Sequence, residues 1–311
     1  MIKDFKFVKK GFIFKKSEGE GWWQSHSMAP TAIFWNGVIR VYFGGWDDGP
    51  VSRITYMDLD PNDPSNVLAV HDSPVLDIGE DGMFDDNGVF PGHASVIDGR
   101  VHLYYTGFQK GHKVAHYNFG GLAVSSDGEN FERVSKAPIL DRKDEGLLVR
   151  AGQSVIENGD IYKSVYSIGS GFTFVGGKDR PTYDIAYQES LSHSDFSSVG
   201  TKILSCDYEV EHGLGRPQII EIKNQLFVFY TRRMLDMKYF IGCAAIDGLG
   251  NWVKNEDIFS EVIHSKDGFD SEMIYFPSVV FVPDSGRYFL FYNGNGFGKD
   301  GIGYLELSLI L

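Results

Sequence analysis

The 311-residue chain lacks most of the features that place a protein in a class at sight. Cysteine is nearly absent: Cys206 and Cys243 permit one bridge at most, which is no disulfide framework, and reduced thiols of a cytoplasmic protein are the simpler expectation. No 18 apolar residues run together, so no membrane-spanning helix is expected. The opening MIKDFKFVKKGFIFKK has lysine in every apolar run and so lacks the hydrophobic stretch of a signal peptide. Positive charge is in deficit. Lys and Arg number 29 against 42 Asp and Glu, a net −13, which argues against nucleic acid as a partner because a phosphate backbone needs a basic face. There is no HExxH, no cysteine pair at zinc spacing, no GxSxG and no Walker pattern, so neither a metal nor a cofactor is expected. The glycine-rich GSGFTFVGG at 169–177 opens no helix and is not a phosphate loop.

What is abundant is glycine, 37 residues, and aromatic side chains, 14% of the chain. Together they favour pleated strands joined by tight turns over helices. One unit recurs five times: a small or apolar run, a polar turn, a second aromatic-rich run and a longer loop. The copies are APTAIFWNGVIRVYFGG from Ala29, FPGHASVIDGRVHLYYTG from Phe90, RAGQSVIENGDIYKSVYSIG from Arg150, RPQIIEIKNQLFVFYTRR from Arg216 and FPSVVFVPDSGRYFLFYNG from Phe276. Anchored on Pro30, Pro91, Ala151, Pro217 and Pro277, the intervals are 61, 60, 66 and 60 residues. The turns Asn36-Gly37, Asp98-Gly99, Asn158-Gly159, Lys223-Asn224 and Asp284-Ser285-Gly286 are of hairpin type. Third strands follow at SRITYMDL, FGGLAVSS, TYDIAYQE, YFIGCAAI and GIGYLELS.

Four strands in each of five units predict an all-β, five-bladed β-propeller, a single domain whose radial closure protects strand edges. The blades fall at about 29–85, 86–145, 146–211, 212–271 and 272–311, the last completed by the N-terminal strand 5–14. A pair of β-sandwich domains is the alternative. The turns between first and second strands are short, whereas the loops between second and third strands are long and carry aromatics and charges. Loops of that kind are where binding residues concentrate. They include Trp46, Asp47, Phe108, His112, Arg180, Arg232, Arg233 and Phe297, and they place the site on their face of the molecule, around the central funnel.

The pattern MAPT at 28–31, FPGH at 90–93, GRPQ at 215–218 and YFPS at 275–278, with the SSDGENF and GLGNW turns, resembles the five-bladed propeller clan of glycoside hydrolases, families 43, 32, 62, 117 and 130. The resemblance implies action on glycans through carboxylates at the starts of inner strands. Where the family-43 pattern has its three acids, this chain has Ala29, Gly92 and Gly215. The carboxylates left as candidate acid and base lie just upstream of inner strands: Asp85, Asp86, Glu145, Glu211 and Glu272. Arg150 and Arg216 stand at matching places in the third and fourth repeats. Two guanidiniums there bind a carboxylate or phosphate in forked geometry, or each pairs with a structural acid such as Glu145 or Glu211. His26, Trp46, Asp47, His93, Gln153 and Arg232 complete the expected substrate-binding set. The expected ligand is an anionic glycan, sugar phosphate or sugar nucleotide. Hydrolysis leads; phosphorolysis or glycosyl transfer, and glycan binding without catalysis, are the alternatives.

Overall fold

The two-residue turns set the architecture. Asn36-Gly37, Asp98-Gly99 and Lys223-Asn224 each hold both residues at positive φ, the twist that lets a two-residue loop join antiparallel strands without splaying them. The computed structural model describes residues 5–17, 19, 21–255, 259 and 265–309. Over these the chain is all-β, with a 3-10 turn at Gly296–Gly298 and no α-helix. No helix among the described residues is long and apolar enough to cross a membrane.

The strands form four-stranded antiparallel meanders. After β1 (Phe5–Phe14), the first meander contains β2 (Ser25–Trp35), β3 (Val38–Trp46), β4 (Ser52–Leu59) and β5 (Val67–Val70). The second contains β6 (Val89–Ile97), β7 (Arg100–Lys110), β8 (His116–Ser125) and β9 (Glu132–Arg133). In the third, β10 (Val149–Asn158) and β11 (Ile161–Gly169) are followed by a separate hairpin, β12 (Phe172–Val175) with β13 (Lys178–Pro181), before β14 (Asp184–Ser190) and β15 (Thr201–Leu204). The fourth contains β16 (Glu211–Ile222), β17 (Gln225–Met234), β18 (Tyr239–Ile246) and β19 (Trp252–Lys254). The last contains β20 (Tyr275–Val282), β21 (Arg287–Asn293) and β22 (Ile302–Leu309), and β1 adds to it by pairing antiparallel with β22 from Phe5↔Leu309 to Phe14↔Ile302. The second and third meanders share one sheet through a short parallel contact of β8 with β10.

The core lies between meanders. Phe43, Met57 and Trp23 of the first pack with Phe289, Phe291 and Tyr304 of the last. Tyr42 and Tyr56 meet Leu103 and Tyr105 of the second meander, and Tyr104 and Leu122 meet Val155 and Tyr166 of the third. Val165 and Ile185 pack on Ile219 and Val228 of the fourth, and Phe227 and Ile241 pack on Leu290 and Leu305 of the last. Side chains of the first strands also tie four of the meanders to the next by accepting backbone N–H groups. His93 Nδ1 accepts from Val155, Ser154 Oγ from Ile219, Gln218 Oε1 from Val279 and Ser278 Oγ from Ala32.

The first strands β2, β10, β16 and β20 all break register at the same point. The ladder skips two residues: Ala29-Pro30, Gly152-Gln153, Arg216-Pro217 and Phe276-Pro277. The first residue of each pair has positive φ, 59° at Ala29, 63° at Gly152, 46° at Arg216 and 55° at Phe276. β6 breaks at Gly92. These bulges turn the chain at the middle of the molecule, and the left-handed backbone at Ala29, Arg216 and Phe276 is strain of a kind that collects at binding sites.

Candidate functional site

The bulges also reveal a register that the sequence repeat misaligned. Gly152, and not Arg150, occupies the position equivalent to Arg216. The repeat places Ala151 in line with the prolines, but the structural counterpart of Pro217 is Gln153. At the centre, small residues leave a channel for one long side chain. A Cβ on Gly152 would lie 3.1 Å from the Arg216 Cα, and one on Gly92 would lie 2.9 Å from the Gln153 carbonyl. Arg216, 4% exposed, extends across that space. It donates from Nε to the Pro91 carbonyl at 3.2 Å and from Nη1 to that of Pro277 at 3.1 Å. From Nη2 it donates to the carbonyls of Ala29 (3.2 Å) and Pro30 (2.7 Å) and to Thr31 Oγ1. One guanidinium thus fastens the bulges of three other meanders. Among the described residues it has no carboxylate partner, and burial lowers it to about 9, still protonated at neutral pH.

Above Arg216 lies a cavity of about 250 Å³ lined from all five meanders. Seven aromatic rings line it: Trp46, Phe90, Phe108, Tyr183, Tyr239, Phe276 and Phe297. Its ionisable wall groups besides tyrosine are Arg216, Arg233 and His116, and no Asp or Glu is among the described residues lining it. Arg233 lies 4.6 Å from the Tyr183 ring centre and 5.3 Å from that of Tyr239, and donates from Nε to Tyr239 Oη at 3.0 Å. Its Nη groups have no protein acceptor among the described residues. The two cations therefore differ in what they offer. Arg216 contributes charge with its donors largely occupied, whereas Arg233 offers a free fork of N–H donors. His116 is lowered by burial and then by the charges of Arg233 and Lys178, and so is neutral at pH 7.

Of the expected site residues, Trp46 and Arg216 line this cavity, and His26 stacks on Trp46 with ring centres 3.9 Å apart. The others are engaged elsewhere. Arg150, fully buried, ion-pairs with Glu145 at 2.9 Å and donates to the carbonyls of Asp141 and Ser198 and to Tyr166 Oη. Glu211 pairs with Arg232 and accepts from the Asp207 N–H at 3.0 Å. Asp85 accepts from Arg133 Nε at 2.8 Å and Tyr105 Oη at 3.0 Å. Asp86 accepts from the Gly82 N–H, and Glu272 is exposed. Asp47 accepts from the Gly49 and Val51 N–H groups and from Arg53 Nη1, closing its own loop. His93 lies in the junction to the third meander, pushed down to about 3 by burial and then by the Arg216 charge. Gln153 donates to Ser164 Oγ. Among the described residues no cluster of three His, Cys, Asp or Glu side chains could hold a metal ion.

The acids in fact follow a repeated pattern of their own. Asp85, Glu145 and Asp270 each bond to a second-strand tyrosine (Tyr105, Tyr166, Tyr292) and to a cation (Arg133, Arg150, Lys9). Cutting such a pair strands a buried charge, so Asp85→Ala is expected to cost about 3 kcal/mol in urea unfolding. A change within about 0.5 kcal/mol would mean that Asp85 is free for another role.

No protein-family model matches the chain. Among solved structures it is similar to a glycosyl hydrolase from Bacteroides ovatus, with 14% identity, TM-score 0.71, 98% of this chain and 94% of that one covered. It is equally similar to a structure from the GH130 family of mannoside phosphorylases, described as containing glycoside hydrolases that target β-1,2-mannosidic linkages in Candida mannan (14% identity, TM-score 0.70, 98% and 94% covered). The fold is therefore that of glycoside hydrolases of the propeller type, as the sequence pattern suggests. In sequence, it is 30% identical over 304 residues to the uncharacterized protein Rv1502 of Mycobacterium tuberculosis, covering 96% of this chain and 98% of that protein. Likeness of that extent over nearly the whole of both chains makes this protein a member of the Rv1502 family.

Proposed function

We propose that the five meanders are the blades of a five-bladed propeller whose central cavity binds an anionic saccharide without cleaving it. The cyclic succession of cores, from the first meander round to the last and back, supports the blade count. The observation that carries the function is the lining: two guanidiniums and seven aromatic rings, with no carboxylate among the described residues. Aromatic faces suit the C–H faces of a sugar ring, and a free arginine fork suits a uronate carboxylate or a phosphate on a sugar phosphate or sugar nucleotide. Glycosidic cleavage by paired carboxyl groups needs two acids at the sugar, and the candidates Asp85, Glu145 and Glu211 are tied into ion pairs. Hydrolysis rests on the fold of the structural neighbours, and fold does not fix function.

Calorimetric titration with glucuronate, glucose 6-phosphate and glucose tests this reading. The two anions are expected to bind and glucose is not; equal binding of all three, binding of none, or release of reducing sugar from a glucuronide overturns it. The pH dependence has a definite sign. An anion in the cavity favours protonated His116, so its pKa in the complex lies above that of the free protein, which is itself below 6.5. Glucuronate affinity therefore rises as pH falls through the complex's pKa and levels off below the free one.

A further inference from the structure

The hairpin β12–β13 interrupts the third meander where the other four run from second to third strand through a loop. It is self-contained: Phe172↔Pro181 to Val175↔Lys178 pair antiparallel, closed by Gly176 and Gly177 at positive φ. It leaves apolar rings in solvent, with Phe172 47% and Phe174 72% exposed. Between it and the loop joining β7 to β8 lies a groove of about 310 Å³, lined by Lys113, Val114, Ala115, Leu148, Phe172 and Pro181 together with Asp179 and His116.

His116 also lines the central cavity, so the two spaces share a wall. At about 250 Å³ the cavity alone falls below the roughly 300–1,000 Å³ usual for small-molecule sites, whereas the two together fall within it. We propose that this groove is a second sugar subsite, so that the ligand is an oligosaccharide whose anionic terminal residue enters the cavity while the next residue lies on Phe172. The exposed ring offers a stacking face, and Lys113 and Asp179 offer one donor group and one acceptor group to sugar hydroxyls. The inference rests on the anionic-saccharide reading of the cavity and adds the length of the ligand to it.

The test compares glucuronate and galacturonate with galacturonate disaccharide and the hyaluronan disaccharide, by calorimetry on the full chain and on Phe172→Ala and Lys113→Ala. At least one disaccharide is expected to bind ten times more tightly than its acidic monosaccharide. Phe172→Ala should remove most of that gain, leaving monosaccharide affinity within twofold and the melting curve unchanged; Lys113→Ala should act in the same sense. Monosaccharide binding without any disaccharide gain, or a gain that survives Phe172→Ala, overturns the subsite while leaving the cavity reading standing. Failure of every acidic saccharide to bind overturns both.

Discussion

Arg216→Ala is expected to lower the melting temperature by about 6–10 °C, the largest effect of any single substitution in the centre of the molecule. The side chain donates to four carbonyls and one hydroxyl drawn from three other meanders. Its removal leaves those acceptors buried, each at a cost of about 1–3 kcal/mol unless water replaces the guanidinium. Part of the loss is offset, because a cation without a carboxylate partner pays a desolvation penalty in the native state. A net cost of about 3–5 kcal/mol, at about 2 °C per kcal/mol for a chain of this size, gives the expected shift. Arg216→Lys should fall between the two, since an ammonium group cannot span acceptors that lie on different sides of the axis. Differential scanning calorimetry reads the result; a shift under 2 °C would mean that water satisfies the bulge carbonyls without help.

Arg233→Ala should do the opposite, leaving stability nearly intact and removing binding. Arg233 has no carboxylate partner among the described residues and rests on the Tyr183 and Tyr239 rings, so its loss exposes no buried charge. A forked, charge-assisted contact contributes about 2–3 kcal/mol, so glucuronate affinity is expected to fall about 100-fold. Arg233→Lys should recover part of this, because an ammonium keeps the charge but loses the fork. Titration calorimetry measures both variants. Wild-type affinity in Arg233→Ala would locate the anion somewhere other than this cavity.

The strands were legible where turns and alternation agree. SRITYMDL and YFIGCAAI are β4 and β18 residue for residue, since a hairpin turn fixes where pairing begins and the period of two does the rest. In the sequence the hairpin β12–β13 is indistinguishable from the long loops between second and third strands, although Gly176-Gly177 is itself a turn signal. The site was legible as a face but not as a set of side chains. Arg232 and Arg233 are adjacent on β17, so they point to opposite sides: Arg232 to Glu211, Arg233 to the cavity. Arg233, named only among the loop charges, is the one that lines it, and counting alternation outward from the core residues Phe227 and Phe229 would have separated the two. The direction of the upstream acids was illegible for a different reason. Asp85, Asp86, Glu145 and Glu272 sit in irregular segments with no period to set their direction, so a sequence cannot tell an acid aimed at the funnel from one aimed at a tyrosine between sheets. Asp270 repeats the Asp85 pattern, following Phe269 as Asp85 follows Phe84.

The pairing of β1 with β22 bears on how the protein is made. During synthesis β1 emerges long before its partner β22, so the last meander cannot be completed until β22 has been made. In the interval β1 is an unpaired strand carrying Phe5, Phe7, Phe12 and Phe14, a ready template for joining the edge of a neighbouring molecule. Lys6, Lys9 and Lys10 interrupt those rings. In the folded protein Lys9 pairs with Asp270 and Lys10 with Glu306, but on the nascent chain the same lysines repel a second copy of the strand. The lysines that fasten the finished molecule are thus also placed to oppose its aggregation before it can close.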